Sequence, residues 1–425
     1  MAKELHELNE LEERVILVAV EMDERSSRSA MDTDACLDEL EELVKTAGGT
    51  AVARSVQKRE RIHPGHYLGT GKIEELKAML LAYDATGIVC DDELSPAQLR
   101  NLEQMLGTKV MDRTIVILDI FAARALSGEG KIQVELAQLK YRLSRLTGMG
   151  ASMSRLGGGI GTRGPGEKKL ETDRRYIKER IAELNKDAQE IRTHRELLRA
   201  QRSKKGTPVI SLVGYTNAGK STILNRLSDA GVLAEDKLFA TLDTTTRKIE
   251  LPGGSEAFLT VGFIQKLPHH LVQAFRATLE ELQYADILLH VVDASDANRA
   301  EHIEVVYDTL RSLGCEDTPV ITVFNKMDRE VELPLPMDTM ARDIVQVSAQ
   351  NGDGMDVLLE RVEKLLQSFR KSITALVPYT EGSLIGWIHG RCEIIREEHT
   401  GEGVLLEVYV DEESANRLEK FKVNE

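Results

Sequence analysis

Hydrophobic and polar positions recur along the chain with two different periods, and their succession divides it into parts. Between residues 14 and 125 short β-branched runs, "RVILVAV", "TAVARSV", "TGIVCDD" and "GTKVMD", alternate with amphipathic stretches of helix length such as "DTDACLDELEELVKTAGG". Strands separated by helices predict a small parallel α/β domain. Gly48 and Gly49 supply the stop for its first helix. Within it, "LGTGKIEEL" lacks the full spacing of a phosphate loop and the hydroxyl after Lys72, so it reads as a turn opening a helix. From Lys131 the pattern changes. Leu136, Leu139, Leu143 and Leu146 recur at three and four residues, then Leu170, Ile177, Leu184, Ile191 and Leu198 at seven. Two helices packed as an antiparallel hairpin satisfy both stripes. Between them "GMGASMSRLGGGIGTRGPGEKKLETDRR" holds too many glycines for a regular element, which leaves Arg155, Arg163, Lys168 and Lys169 on a loop at the hairpin tip.

Near "SKKGTP" the basic helix gives way to a buried strand, and a last change falls near residue 372. There "LVPYTEGSLIGWIHGRCEII" and "EGVLLEVYVDEESANRLEKF" predict two or three strands and a short helix, too few residues for much core of their own. The expected division is therefore an N-terminal α/β domain (1–130), a basic helical hairpin with a glycine-rich loop (131–205), a nucleotide-binding α/β domain (206–372) and a small C-terminal α+β domain (373–425).

Composition narrows the class. With 425 residues, 42% hydrophobic and 29% charged, the chain has the balance of a globular protein of several domains. No apolar run approaches the roughly 20 residues of a membrane span, and "MAKELHELNELEER" lacks the apolar core of a signal peptide. A cytoplasmic protein without a transmembrane segment is expected. Cys36, Cys90, Cys315 and Cys392 are scattered, with no pair at metal-ligand spacing, and read as reduced thiols. A net charge of −15 argues against indiscriminate attraction to nucleic acid, DNA included, yet residues 131–205 carry 19 Lys and Arg against 9 Asp and Glu. A basic segment on an acidic body fits a directed contact with a polyanion, and equally a solvated helical face.

The densest chemistry lies in "PVISLVGYTNAGKSTILNRLS". A buried strand runs into Gly214, Tyr215, Thr216, Asn217, Ala218, Gly219, Lys220, Ser221 and Thr222, then an apolar-periodic helix: the strand, loop and helix setting of a phosphate loop. Glycines let loop N–H groups face the phosphates, and the helix N-terminus adds positive potential. Lys220 can reach the β- and γ-phosphates and the Ser221 hydroxyl can ligate Mg²⁺. Farther on, "TPVITVFNKMD" ends a buried strand in Asn325, Lys326, Met327 and Asp328, and "IVQVSAQNGDG" places Ser348 and Ala349 after another. A carboxylate at Asp328 can accept from both N1–H and the exocyclic amine of guanine. The ordered set points to GTP and GDP rather than ATP. In "FATLDTTTRK", which includes Phe239, Ala240, Thr241, Leu242 and Asp243, a threonine can complete the Mg²⁺ shell only when a γ-phosphate is present. Thr241 is the first choice, with Thr244, Thr245 and Thr246 as alternatives. Gly262 stands where a second switch should contact the γ-phosphate, but three residues earlier is Leu259, where such switches place an Asp that organises a Mg²⁺ water, and Phe263 leaves no glutamine to orient a nucleophile. Lys220, Thr241 and Gly262 are thus the residues expected to serve catalysis, with Ser221 and Thr241 as metal ligands.

With these residues identified, the chain resembles the HflX family of translation-factor-type GTPases over nearly its whole length. The likeness is carried by "LSPAQLRNLE", "MDRTIVILDIFAARA", "GKIQVELAQLKYRL", "GGGIGTRGPGEKKLETDRR", "GYTNAGKST", "LFATLD", "VGFIQKLPHHLV" and "NKMD". The resemblance implies a P-loop GTPase domain beside an N-terminal domain and helical linker, Mg²⁺ as cofactor, and binding to ribosomes, chiefly the large subunit, in splitting or rescue of stalled ribosomes. A monomer is expected. It also implies a hydrophobic residue at position 263. The chain departs from the family at "FLTVGFI", which is two residues short and lacks the Asp; since a two-residue loss preserves strand alternation, the fold can survive it. A hydrolysis-impaired guanine-nucleotide regulator that still binds through Lys220 and Asp328 is the alternative reading.

Overall fold

Three sheets organise the chain in the computed structural model, which describes residues 13–22, 33–147, 165–203, 207–228, 246–261, 280–331, 334–369, 371–410 and 412–423. The first contains β1 (Arg14–Met22), β2 (Thr50–Arg59), β3 (Gly87–Cys90) and β4 (Lys109–Asp112) in the order β2-β1-β3-β4, with every pair parallel. Helices α1 (Thr33–Thr46), α2 (Thr70–Ala82) and α3 (Pro96–Leu106) make the crossovers that parallel pairing requires. Alternate residues of β1 enter different cores: Val15, Leu17 and Ala19 on one face, Ile16 and Val18 on the other. This two-sided burial explains why its sequence is a continuous apolar run. The "LGTGKIEEL" turn does open a helix, with Gly69 as the N-cap of α2. Ser95 and Gln98 form a capping box on α3, and Gly107 closes that helix at φ 69°.

α4 (Arg113–Arg124) follows β4 without a loop, capped by Asp112, whose Oδ1 accepts from Ile115 N at 3.1 Å. Fully buried Asp112 also accepts from Leu94 N, from Tyr141 Oη at 2.6 Å and from Arg145 Nη2 at 3.3 Å. Tyr141 and Arg145 belong to α5 (Gly128–Thr147), so one carboxylate fastens that helix to the first sheet. α6 (Pro165–Ser203) packs against α5. Arg180 chelates Glu135 at 2.8 and 3.1 Å, and Arg195 bonds Glu129, so the two helices run antiparallel. Lys168 and Lys169 are not on a loop, as their glycine-rich neighbourhood suggested. Pro165, pre-set for a helix's first turn, starts α6 ahead of them. Arg155 and Arg163 lie outside the described residues.

The second sheet contains β5 (Val209–Val213), β6 (Thr246–Glu250), β7 (Glu256–Val261), β8 (Ile287–Asp293), β9 (Val320–Asn325) and β10 (Asp343–Gln346), ordered β10-β9-β8-β5-β7-β6. All its pairs are parallel except β6 with β7. Helices α7 (Lys220–Ser228), α8 (Arg299–Ser312) and α9 (Met355–Phe369) accompany it. The strand order reverses at β5 and β8, which makes the crevice beyond their carboxyl ends the place where open sheets of this kind take ligands. β11 (Lys371–Val377), β12 (Glu393–His399) and β13 (Val404–Val410) form the third sheet, antiparallel in the order β11-β13-β12, with helices α10 (Gly382–Arg391) and α11 (Glu412–Leu418). The tail has a core of its own, contrary to expectation. β13 alternates buried and half-buried residues, and Ile388 of α10 and Leu418 of α11 join its buried face.

Beneath the ligand crevice lies a buried polar knot. Asp338 Oδ2 accepts from Tyr307 Oη at 2.8 Å and Thr322 Oγ1 at 2.5 Å, while Oδ1 accepts from Met340 N at 3.0 Å and Ala341 N at 3.3 Å. His290, opposite Thr322 in the β8–β9 register, puts Nδ1 only 4.0 Å from that carboxylate. Burial nevertheless pushes its pKa down to about 4, against the attraction of Asp338, and Lys220 adds repulsion. An unfolded histidine gains its proton near pH 6.5, whereas the folded one stays neutral to about pH 4. Unfolding therefore takes up a proton in this window, and stability present at neutral pH is lost as pH falls through it. The expected loss from this residue is on the order of 3 kcal/mol. Denaturant melts between about pH 7 and 4 should show a shallower pH slope for His290→Gln than for the parent.

Candidate functional site

β5 ends at Val213, the loop Gly214 to Gly219 follows, and α7 begins at Lys220. Two glycines are required by the loop's shape. Gly214 adopts φ 149°, and a Cβ there would stand 2.2 Å from the Val291 carbonyl oxygen. Gly219 adopts φ 96°, and its Cβ would meet Asn325 Nδ2 at 2.1 Å. Asn217 is left-handed at φ 61°, a conformation asparagine tolerates better than most residues.

Lys220 is only 7% exposed, and its Nζ donates to the carbonyls of Gly214 at 2.8 Å and Tyr215 at 2.6 Å. Among the described residues no carboxylate pairs with it, and burial pushes its pKa down to about 7. Carbonyl dipoles satisfy its donors but leave its charge uncompensated, so the position favours an anion. Ser221 and Thr222 follow in the first turn of α7, both half-buried.

A second group of residues gathers where β9 and β10 end. Buried Asn325 donates from Nδ2 to the Ala218 carbonyl at 2.9 Å and accepts from Ala349 N at 3.0 Å, joining the loop to the segment after β10. Ala349 N–H is therefore already engaged, and a guanine O6 would have to share it. Lys326, at φ 63°, pairs with Asp293 at 2.8 Å, while Met327 N donates to the Val347 carbonyl at 3.2 Å. Ser348 Oγ donates to Asp328 Oδ1 at 2.5 Å, and that bond holds the exposed Asp328 carboxyl below the usual carboxylate range. Asp328 thus presents a fixed, ionised acceptor pair.

The structure brings these two groups together through Asn325. Phe239, Ala240, Thr241, Leu242, Asp243 and Gly262 lie outside the described residues, as do Phe263, Thr244 and Thr245. Thr246 stands in β6 opposite Thr260. Leu259 is fully buried opposite Ile210, in the same cluster as Ala257 and Val261. It is a core residue of β7, and an Asp substituted there would be buried among hydrocarbon. Val261 stands level with Leu212, two residues before Gly214. Among the described residues there is no cluster of His, Cys, Asp and Glu able to hold a metal ion, so Mg²⁺ would depend on hydroxyls such as Ser221 and on the nucleotide's own phosphates.

Sequence reasoning missed the wall opposite the loop. A cavity of about 250 Å³ is lined by Asp38, Glu39 and Glu42 of α1, by Tyr215 to Ala218, and by Asp296 and His302. The contacts that form it join residues far apart in the chain, such as Tyr215 and Glu39, so no local pattern records them.

Comparison with known sequences decides the family. Residues 34–122 match the GTP-binding GTPase N-terminal family, 124–202 the GTP-binding GTPase middle region, and 209–326 the 50S ribosome-binding GTPase family. The chain is 56% identical over 412 residues to the GTPase HflX of Lacrimispora saccharolytica, covering 96% of each. It is 47% identical to that of Caldanaerobacter subterraneus, covering 99% of this chain and 96% of the relative. The chain belongs to the HflX family of GTPases. Lys220 and the ionised Asp328 stand on one scaffold, joined through Asn325. Binding a diphosphate should restore the Lys220 charge. GDP binding near pH 8, where the β-phosphate is fully ionised, should therefore take up close to one proton per site, and towards pH 6 the uptake should vanish and turn to release as the β-phosphate sheds its own proton. Calorimetry in buffers of different ionisation enthalpy measures this directly.

Proposed function

We propose that this protein is a ribosome-associated GTPase that acts on the large subunit in splitting or rescue of stalled ribosomes or in ribosome biogenesis. The single observation carrying the nucleotide part is Lys220, a buried amine held among the described residues by two carbonyls, at the mouth of a loop tied by Asn325 to the segment that would read the base. Gly214 to Thr222 hold the phosphates, Asn325 to Asp328 with Ser348 and Ala349 hold guanine, and Phe239 to Asp243 with Gly262 sense the γ-phosphate. Ser221 and Thr241 ligate Mg²⁺, which when bound neutralises charge developing on the transferred phosphoryl group. Lys220, Thr241 and Gly262 serve the hydrolytic step. The residues 131–205 touch ribosomal RNA through phosphates and shape, which makes binding fall steeply with salt. The family description of 209–326 as a 50S ribosome-binding GTPase supports the partner. No described helix is long and apolar enough to cross a membrane, which is compatible with action as a cytoplasmic monomer. The four-part division at 130, 205 and 372 is the working organisation.

The core position of Leu259 and the register of Val261 favour a second reading, a nucleotide binder impaired in hydrolysis because the C-terminal half of β7, Leu259 to Val261, supplies no carboxylate. GTP turnover with and without large subunits separates the two, measured beside a variant with Asp-Thr inserted before Val261. The first reading expects subunits to raise turnover of the parent chain by an order of magnitude or more. Turnover by the insertion variant alone, with GTP binding equal in both, would establish the second.

A further inference from the structure

Tyr215 occupies the first variable position of the phosphate loop, and three independent contacts hold it. Its ring stacks on His302 of α8, with centroids 3.8 Å apart and planes 7° from parallel. Its hydroxyl donates to Glu39 Oε2 of α1 at 3.1 Å, across 176 residues of sequence. Its own carbonyl accepts the 2.6 Å bond from Lys220 Nζ. Both supports are themselves fixed. Glu39 is paired at 2.5 Å with Arg113, a 7%-exposed guanidinium that also meets Asp91 at 2.9 Å. His302 Nδ1 lies 3.2 Å from Asp296.

We infer that Tyr215 is a positioning residue through which the first sheet's α1 pre-organises the phosphate loop: Glu39 and His302 fix the ring, and the ring fixes the carbonyl that aims Lys220. The inference rests on the reading of this loop as the phosphate site. Its physical basis is that a lysine has four rotatable bonds and that Nζ can be held on a phosphate only if its other acceptors stay still. A peptide carbonyl whose residue is clamped on two sides costs less ordering when the ligand arrives, which appears as affinity. Glu39 thereby contributes to nucleotide binding from a different sheet, acting through Tyr215 on Lys220.

The test compares GDP and GMP binding to the full chain and to Tyr215→Phe, Glu39→Gln and the double variant, with thermal melts alongside. GMP has no β-phosphate for Lys220 to hold, so it reports the rest of the site. Tyr215→Phe keeps the stack on His302 and loses only the hydroxyl bond. The expected result is about a tenfold loss of GDP affinity, GMP affinity within about twofold of the parent, and a double variant no weaker than the weaker single one. Unchanged GDP affinity in Tyr215→Phe, additive losses in the double variant, or equal losses for GDP and GMP would each overturn the inference, the last by showing a loop merely loosened. If Glu39→Gln melts early, Tyr215→Phe alone decides through its GDP-to-GMP ratio. A parent chain that binds neither nucleotide would remove the phosphate-site reading itself, and this inference with it.

Discussion

A lysine has been carried into the interior of this protein, and among the described residues no carboxylate meets it. Lys220 is held instead by two main-chain carbonyls. Burying a cation in this way costs free energy, and the fold tolerates it because the surrounding backbone is held from many sides. Gly214 and Gly219 allow the loop to press against β8 and Asn325, Asn325 ties the loop to the segments following β9 and β10, and Tyr215 is braced by α1 and α8. The site's readiness for a phosphate is thus a property of its supports as much as of its lysine.

Those supports differ in how visibly the sequence records them. The loop itself was legible because its backbone demands particular residues: only glycine fits at 214 and 219. The role of Asn325 in joining loop to base segment was legible for a similar reason, since a buried amide must find partners and the loop carbonyl is within reach. The first sheet was legible in its alternation, and β1's continuous apolar run in its burial on both faces. Contacts set by tertiary docking were not. Glu39 looks like any acidic residue on an amphipathic helix, and nothing near it announces a tyrosine 176 residues away. Asp112 reads as a helix cap, which it is, but its bonds to Tyr141 and Arg145 are what fasten α5. The tail was misjudged because its length was weighed without the antiparallel alternation of β13, and Lys168 and Lys169 because glycine content was weighed above the helix-starting Pro165.

The segment "FLTVGFI" combines the two kinds of information. Its sequence places no Asp three residues before Gly262, and the structure shows Leu259 serving the core of β7 instead. Leu259 and Val261 face the core and Thr260 lies opposite Ser211, a phase that any change of two residues in the strand would preserve. β7 is whole as a strand, and its one acid, Glu256, lies at the end far from Val261. Asp328 and its partner Ser348 follow β9 and β10, which do not pair with β7, whereas the strand leading to Lys220, β5, lies directly beside it.

The central claim is that one preformed scaffold holds a phosphate-seeking lysine and a guanine-reading carboxylate together. The most direct measurement is competition of GDP, IDP and ADP for the site in the parent chain. IDP keeps N1–H but lacks the exocyclic amine, and ADP offers neither donor in the required place. The account expects IDP to bind about tenfold more weakly than GDP, and ADP weaker by a further large factor, roughly a hundredfold or more. ADP binding within a few-fold of GDP would contradict it, because the phosphates would then be held without Asp328 reading the base.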